Sequence, residues 1–80
     1  MYLLIVHGYN TVHWACSYSG LANVLRDANK WSEILGGQTF PYNLSDLVNE
    51  FHGNNGTGKI TFDASDDGYM ISIMREGDPV

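Results

Sequence analysis

The sequence predicts an α+β domain with the element order β-β-α-α-β-β, in which two helices pack on one face of a four-stranded antiparallel sheet. Three observations support this fold class. First, an apolar segment and an alternating segment near the start of the chain flank a turn. Second, two central segments carry apolar residues at helical spacing. Third, two alternating segments in the last third of the chain flank a second turn. Because an amphipathic helix must bury its apolar stripe, two layers are the simplest arrangement of these elements.

The first hairpin is predicted over residues 2–18. Residues 2–7 form a short apolar run, which is typical of a buried strand, and residues 8–10 follow as a turn. Residues 11–18 alternate in character, as a half-buried strand does. One face of this second strand is expected to carry Val12, Trp14, Cys16 and Tyr18.

Both predicted helices have start and stop signals. Ser19 is the expected N-cap of the first helix, and Gly36-Gly37 supplies the left-handed residue that ends many helices. Asn43 is the expected N-cap of the second helix, with Asp46 in its first turn, where a negative charge is favourable. Gly53 ends this shorter helix. The apolar stripes are Leu21, Val24, Leu25, Ala28, Trp31 and Leu35 in the first helix and Leu44, Leu47, Val48 and Phe51 in the second.

The second hairpin is predicted around the turn sequence Ser65-Asp66-Asp67-Gly68, between alternating segments at residues 59–64 and 69–74. The chain is expected to form one domain over residues 1–80, with a flexible tail at residues 76–80. These patterns leave open the order of the strands and the sheet face that the helices cover.

Composition narrows the functional classes. The chain of 80 residues has a net charge of −5 and only 4 Lys and Arg residues, too few to neutralise a run of phosphates. Direct binding to nucleic acid or to an anionic membrane is therefore not expected. Cys16 is the only cysteine, so no disulfide can form within the chain, and a reducing compartment, the cytoplasm, is expected. No signal peptide or membrane span is predicted.

Motifs with a strong chemical meaning are absent from the sequence. An enzyme is therefore not expected, and no cofactor or metal is predicted. The alternative is a small metal or thiol protein that uses three histidines and the cysteine. Their spacing fits poorly, because neither a Cys-x2-Cys nor a His-x3-His pair is present. The residues of this alternative are His7, His13, Cys16 and His52.

Two surface features favour a protein-binding role. The first is the acidic turn of the second hairpin, and the second is a set of large side chains that the core does not need. The sheet face opposite the helices is expected to carry an apolar patch of Tyr2, Leu4, Val6, Met70 and Met74. The residues expected to contact a partner are Asp63, Asp66, Asp67, Tyr9, Met70 and Met74.

These features predict a small acidic module that binds another protein with a basic surface. It would act as an inhibitor or regulator of a larger complex, including one that binds nucleic acid. In size, acidity and lack of motif, the chain resembles the small inhibitor proteins that phages encode, anti-CRISPR proteins among them. This resemblance is one of profile, and it implies the cytoplasm of an infected host as the place of action. A structural homo-oligomer, in which the exposed sheet face pairs with itself as a homodimer, is the remaining alternative.

Overall fold

The computed structural model describes residues 1–75 and confirms the predicted α+β fold, with two helices on one side of an antiparallel sheet. The predicted tail at residues 76–80 lies outside the described residues. The elements are β1 (Tyr2–Gly8), β2 (Thr11–Tyr18), α1 (Leu21–Gly36), α2 (Leu44–His52), β3 (Lys59–Asp63) and β4 (Met70–Arg75).

The strand order is β2-β1-β4-β3, so the two hairpins join through β1 and β4, while β2 and β3 form the edges of the sheet. β1 and β4 are antiparallel, with Leu4 opposite Ile73 and Ile5 opposite Ser72. The two most apolar strands therefore occupy the centre of the sheet, where each is hydrogen-bonded along both sides.

The β1–β2 connection is a tight turn at Tyr9 and Asn10. Both residues have positive φ, 52° and 60°, which is the type I′ geometry that suits the twist of a short hairpin. Asn accepts this backbone conformation readily, whereas Tyr adopts it rarely. A tyrosine at this position therefore points to side-chain contacts that offset the strained backbone.

An irregularity in β2 corrects the predicted face of Val12. Trp14 faces the helices and packs on Trp31, but Val12, predicted on the same face, lies opposite His7 and leaves His13 as an extra residue on β2. Such a β-bulge shifts the alternation of side chains on one side of itself. Val12 therefore lies on the sheet face away from the helices, where it is 62% exposed.

The core lies between the helices and one face of the sheet. The prediction that Tyr2, Leu4 and Val6 form an exposed patch is wrong, because all three are buried on the helix side. β1 is apolar on both faces, so its alternation could not show which set points inward. The inward-facing set is decided by pairing with β4, where Ile73 lies opposite Leu4, Ile71 lies opposite Val6, and both isoleucines are buried. The core cluster comprises Tyr2, Leu4, Val24, Ala28, Phe40, Leu47, Phe51, Ile60, Ala64, Ile71 and Ile73.

The ends of α1 depend on glycine. Its N-cap is Gly20 rather than the predicted Ser19, and no side chain caps the helix there. The helix ends as predicted, because Gly37 takes the left-handed conformation with φ 69°. The preceding Gly36 lies against the β3–β4 connection, where an added Cβ would be 2.0 Å from the carbonyl oxygen of Ala64. Gly36 thus allows the end of α1 to approach the sheet closely.

α2 begins with a complete capping box, which confirms Asn43 as its N-cap. The Asn43 side chain accepts a hydrogen bond from the Asp46 N–H, and the Asp46 carboxylate accepts one from the Asn43 N–H, both at 2.9 Å. Two backbone donors at the start of the helix are satisfied in this way. α2 packs on the core through Leu47 and Phe51, which are both buried.

Candidate functional site

The helices cover one face of the sheet and leave the other uncovered within residues 1–75. We term this uncovered surface the open face. Strand pairing places its side chains in rows that cross all the strands. From the β3 edge to the β2 edge, the rows are Asp63-Met70-His7-Val12, Thr61-Ser72-Ile5-Ala15 and Lys59-Met74-Leu3-Ser17.

The open face is mainly apolar along its central strands, where His7 and Ser72 are the polar residues, and its charged residues lie along β3. Ile5, Leu3 and Met74 are half-buried, because they are neighbours across the two central strands. The only charged residues in the rows are Lys59 and Asp63, which lie at the two ends of β3. The face therefore carries apolar side chains around a polar His7–Ser72 pair, with charged residues along one side.

A hydrogen-bonded group of side chains occupies the middle of the open face. Nε2 of His7 lies 2.7 Å from the hydroxyl of Ser72, which lies 3.3 Å from the hydroxyl of Thr61. Ser72 is only 4% exposed. The hydrogen bond between His7 and Ser72 links β1 to β4 on the open face.

A shallow groove of about 280 Å³ runs over the open face beside His7. Its walls are mainly apolar, and the polar groups of Asn10, Thr11 and Lys59 stand at its ends. This volume lies near the lower end of the usual range of small-molecule pockets. The lining residues are Ile5, His7, Asn10, Thr11, Val12, Lys59, Ser72 and Met74.

The turns of the two hairpins meet at one end of the sheet. The Tyr9 hydroxyl donates a hydrogen bond to the carbonyl oxygen of Asp67, and its ring meets the ring of Tyr69 edge-on at 5.7 Å. The ring of His13 lies 5.2 Å from that of Tyr69. These contacts explain how a tyrosine is held in the strained turn. We term this end of the molecule, Tyr9 and residues 65–69, the acidic tip.

Most of the predicted partner-binding residues lie at the same end of the molecule. Asp66-Asp67 and Tyr9 are in the acidic tip, and the adjacent row of the open face begins with Asp63 and Met70. Met74 lies on the open face in the row farthest from the tip. Sequence reasoning missed four residues of this surface, because only the strand pairing reveals them. They are Leu3, Ile5, His7 and Ser72.

The side chains of the metal or thiol alternative lie apart. His7 is on the open face, and Cys16 is half-buried on the helix side. The ring of His13 packs against Tyr69 of the acidic tip. His52, at the end of α2, forms a hydrogen bond with the hydroxyl of Tyr2. Within residues 1–75, no group of three His, Cys, Asp or Glu side chains is close enough to hold a metal ion.

A charge-assisted hydrogen bond joins β2 to α1 on the helix side. The hydroxyl of Tyr18 donates to the carboxylate of Asp27 at 2.5 Å. Partial burial and this bond raise the pKa of the Tyr18 phenol well above its usual range, and the same bond lowers the pKa of the Asp27 carboxyl. Arg26 also contacts Asp27, at 3.3 Å, but its side chain is 69% exposed and contributes little.

No protein-family model matches this chain, and neither curated proteins nor solved structures match it. Neither helix of the described residues has the length and apolar character needed to cross a bilayer.

Proposed function

We propose that this domain binds another protein through the open face and the acidic tip. The observation that carries the proposal is the uncovered sheet face, where β1 and β4 present Leu3, Ile5, Met70 and Met74 on one surface. Single exposed apolar side chains are normal, whereas contiguous patches mark interfaces. Methionine and aliphatic side chains at the centre with charge at the rim are also typical of protein interfaces.

The charges around this surface indicate the chemistry of the partner. Asp63, Asp66 and Asp67 lie at the tip end, and Lys59 lies at the far end of β3. The chain as a whole has a net charge of −5, which attracts a basic surface over long range. The partner is therefore a protein with a basic patch.

The size of the open face supports an interface that includes the acidic tip. At the usual strand spacing, its rows cover roughly 400 Å² of sheet, whereas a stable interface buries about 800 Å² on each partner. The tip adjoins the first row and adds the missing area. Tyr9 suits the role of an anchor, since it is 68% exposed and already held by contacts with Asp67 and Tyr69.

We also propose that the domain inhibits or regulates the protein that it binds. A basic patch on a protein commonly binds the phosphates of nucleic acid, and an acidic surface that covers it would compete with them. This action fits the profile of small phage-encoded inhibitors, such as anti-CRISPR proteins, and a viral origin belongs to the same proposal. The place of action would be the cytoplasm.

Matched apolar-to-acidic changes test this interface. Val12→Asp alters an exposed side chain of the open face, and Val48→Asp makes the same change on α2, where Val48 is 44% exposed. In affinity capture from native lysate with mass spectrometry, we expect the first variant to lose a partner that the second and the wild type retain. Equal retention by both variants would place the interface elsewhere.

A further inference from the structure

The two edges of the sheet differ in their protection against pairing with other strands. β3 is short and carries Lys59 and Asp63 at its ends, and the ring of Phe40 packs on that of Phe62 at 5.5 Å. β2 is longer and contains no charged residue and no proline. Charges and prolines are common means by which edge strands avoid pairing, so the β2 edge, which no other strand of residues 1–75 covers, suits the addition of a further strand.

The neutral character of β2 extends to its surroundings. Residues 1–25 contain no Asp, Glu, Lys or Arg, so the whole β1–β2 hairpin is uncharged in a chain with a net charge of −5. A partner selected by charge would find nothing to recognise along this edge. A second copy of the chain, by contrast, would meet no like charge along the strand. The occupant that suits this edge best is therefore another β2.

The bulge defines the part of β2 that is able to pair. His13 interrupts the alternation and bends the strand, which confines the regular segment to Trp14–Tyr18. In an antiparallel pair with two-fold symmetry, the segment lies beside the same segment of the second copy, which runs in the opposite direction. The axis therefore passes through the middle residue of the segment. That residue is Cys16.

The segment complements itself in this register. Trp14 lies opposite Tyr18 of the second copy, and Ala15 lies opposite Ser17 of the second copy, with each pair on one face of the sheet. Trp14 and Tyr18 are only half-buried, so both have surface left to pack. Ala15 and Ser17 are small and exposed, so pairing leaves the open face unobstructed.

The flank of α1 above β2 offers further surface to a second copy. Trp31 packs on Trp14 at 5.2 Å, and Asp27 accepts a hydrogen bond from Tyr18, so this side of the helix follows the β2 edge. Ile34 lies one turn after Trp31 on the same side and is 60% exposed. A second copy beside β2 would cover it.

We propose that two copies of this chain pair through their β2 edges about a two-fold axis at Cys16, which joins their sheets into one continuous sheet. The pairing uses the strand edge and the flank of α1 and leaves both open faces accessible on the same side of the dimer. It does not depend on the proposed protein partner. A dimer of this form presents two partner-binding surfaces side by side, which strengthens binding to a partner with repeated sites.

Paired charge changes test the edge interface. Ala15→Lys with Ser17→Lys places like charges opposite each other twice across the axis, whereas Ala15→Lys with Ser17→Glu places opposite charges there. Sedimentation equilibrium over a wide concentration range measures the dissociation constant of the dimer. We expect it to rise about fivefold in the first variant and to fall about fivefold in the second, relative to the wild type.

Thr61→Lys is the matched control, because Thr61 is exposed in the same row as Ala15 but on the β3 edge. We expect it to leave the dissociation constant unchanged, and thermal unfolding confirms that each variant is folded. If it weakens the dimer as much as the double lysine variant does, the copies associate through their open faces and the edge proposal is wrong. A wild-type monomer at all concentrations overturns the proposal as well.

Cys16 reports the position of the axis. Mild oxidation by copper–phenanthroline should join wild-type chains in a disulfide, as two thiols give two electrons and two protons to the oxidant. Residues directly opposite in antiparallel strands have their Cβ atoms close enough for this reaction after small movements. Cys16→Ser with Ala15→Cys moves the thiol off the axis and should slow the cross-link. Equal rates for the two proteins would contradict the register.

Discussion

At the scale of single residues, the bond between Tyr18 and Asp27 couples the fold to pH at both extremes. The pKa of the Asp27 carboxyl is lowered from its ordinary value of 3.8, so its contribution to stability is complete above that value and is lost as the pH falls. The pKa of the Tyr18 phenol is raised from 10.0, so its contribution is complete below that value and is lost as the pH rises. The bond therefore stabilises the fold most strongly between these two limits.

Asp27→Asn should make the free energy of unfolding less dependent on pH in the acid range. The variant loses the charge-assisted bond, so we expect it to be about 0.5–1.5 kcal/mol less stable than the wild type near pH 7. Since acid removes the same interaction from the wild type, the difference should shrink by about pH 3. Urea unfolding at several pH values measures this difference in the free energy of unfolding, and Asp66→Asn, a substitution in an exposed turn, is the control. A difference that stays constant with pH would contradict the assignment.

At the scale of elements, the helices were predictable from the sequence, and the orientation of β1 was not. The signals of α2 are local, since Asn43 and Asp46 cap the helix whatever surrounds it. Both faces of β1 carry large apolar residues, so its own sequence does not show which face is buried. The buried face is decided by pairing with β4, which lies far away in the chain. The bulge at His13, which moves Val12, likewise depends on the pairing of β1 with β2.

Adjacent leucines in β1 test the assignment of its faces. Leu4 is fully buried in the core, whereas Leu3 is half-buried on the open face. Leu4→Ala should lower the free energy of unfolding by about 2–5 kcal/mol, through lost burial and the cavity left behind. Leu3→Ala should cost much less, because little packed volume is lost. Chemical denaturation of both variants measures the two values, and a larger loss for Leu3→Ala would reverse the two faces.

At the scale of the whole molecule, charge is distributed unevenly. Residues 1–25 are neutral, and the acidic tip gathers aspartates beside the open face. The acidic turn could be predicted from Asp66-Asp67 and Gly68, because such turns are local. The open face beside it could not be predicted, since its apolar surface combines β1 and β4 from opposite ends of the chain.

Charge reversal in the acidic tip should weaken partner binding and reduce its dependence on salt. Asp66→Lys removes a negative charge from the proposed interface, and Glu33→Lys makes the same change in net charge on the exposed surface of α1. We expect only the first variant to bind the captured partner more weakly, with the gap closing at high salt. If both variants weaken binding equally, general charge rather than the acidic tip controls association.

The pairing of β1 with β4 has a consequence for how the protein is made. Tyr2 lies opposite Arg75, so the centre of the sheet forms only after the chain between them has been synthesised. Contacts between such distant residues slow folding, and an isolated hairpin is barely stable in water. Until β4 pairs with β1, the apolar strands of the β1–β2 hairpin are exposed, and residues 1–25 carry no Asp, Glu, Lys or Arg to deter aggregation. We therefore expect aggregation during folding to compete with the pairing of β1 and β4.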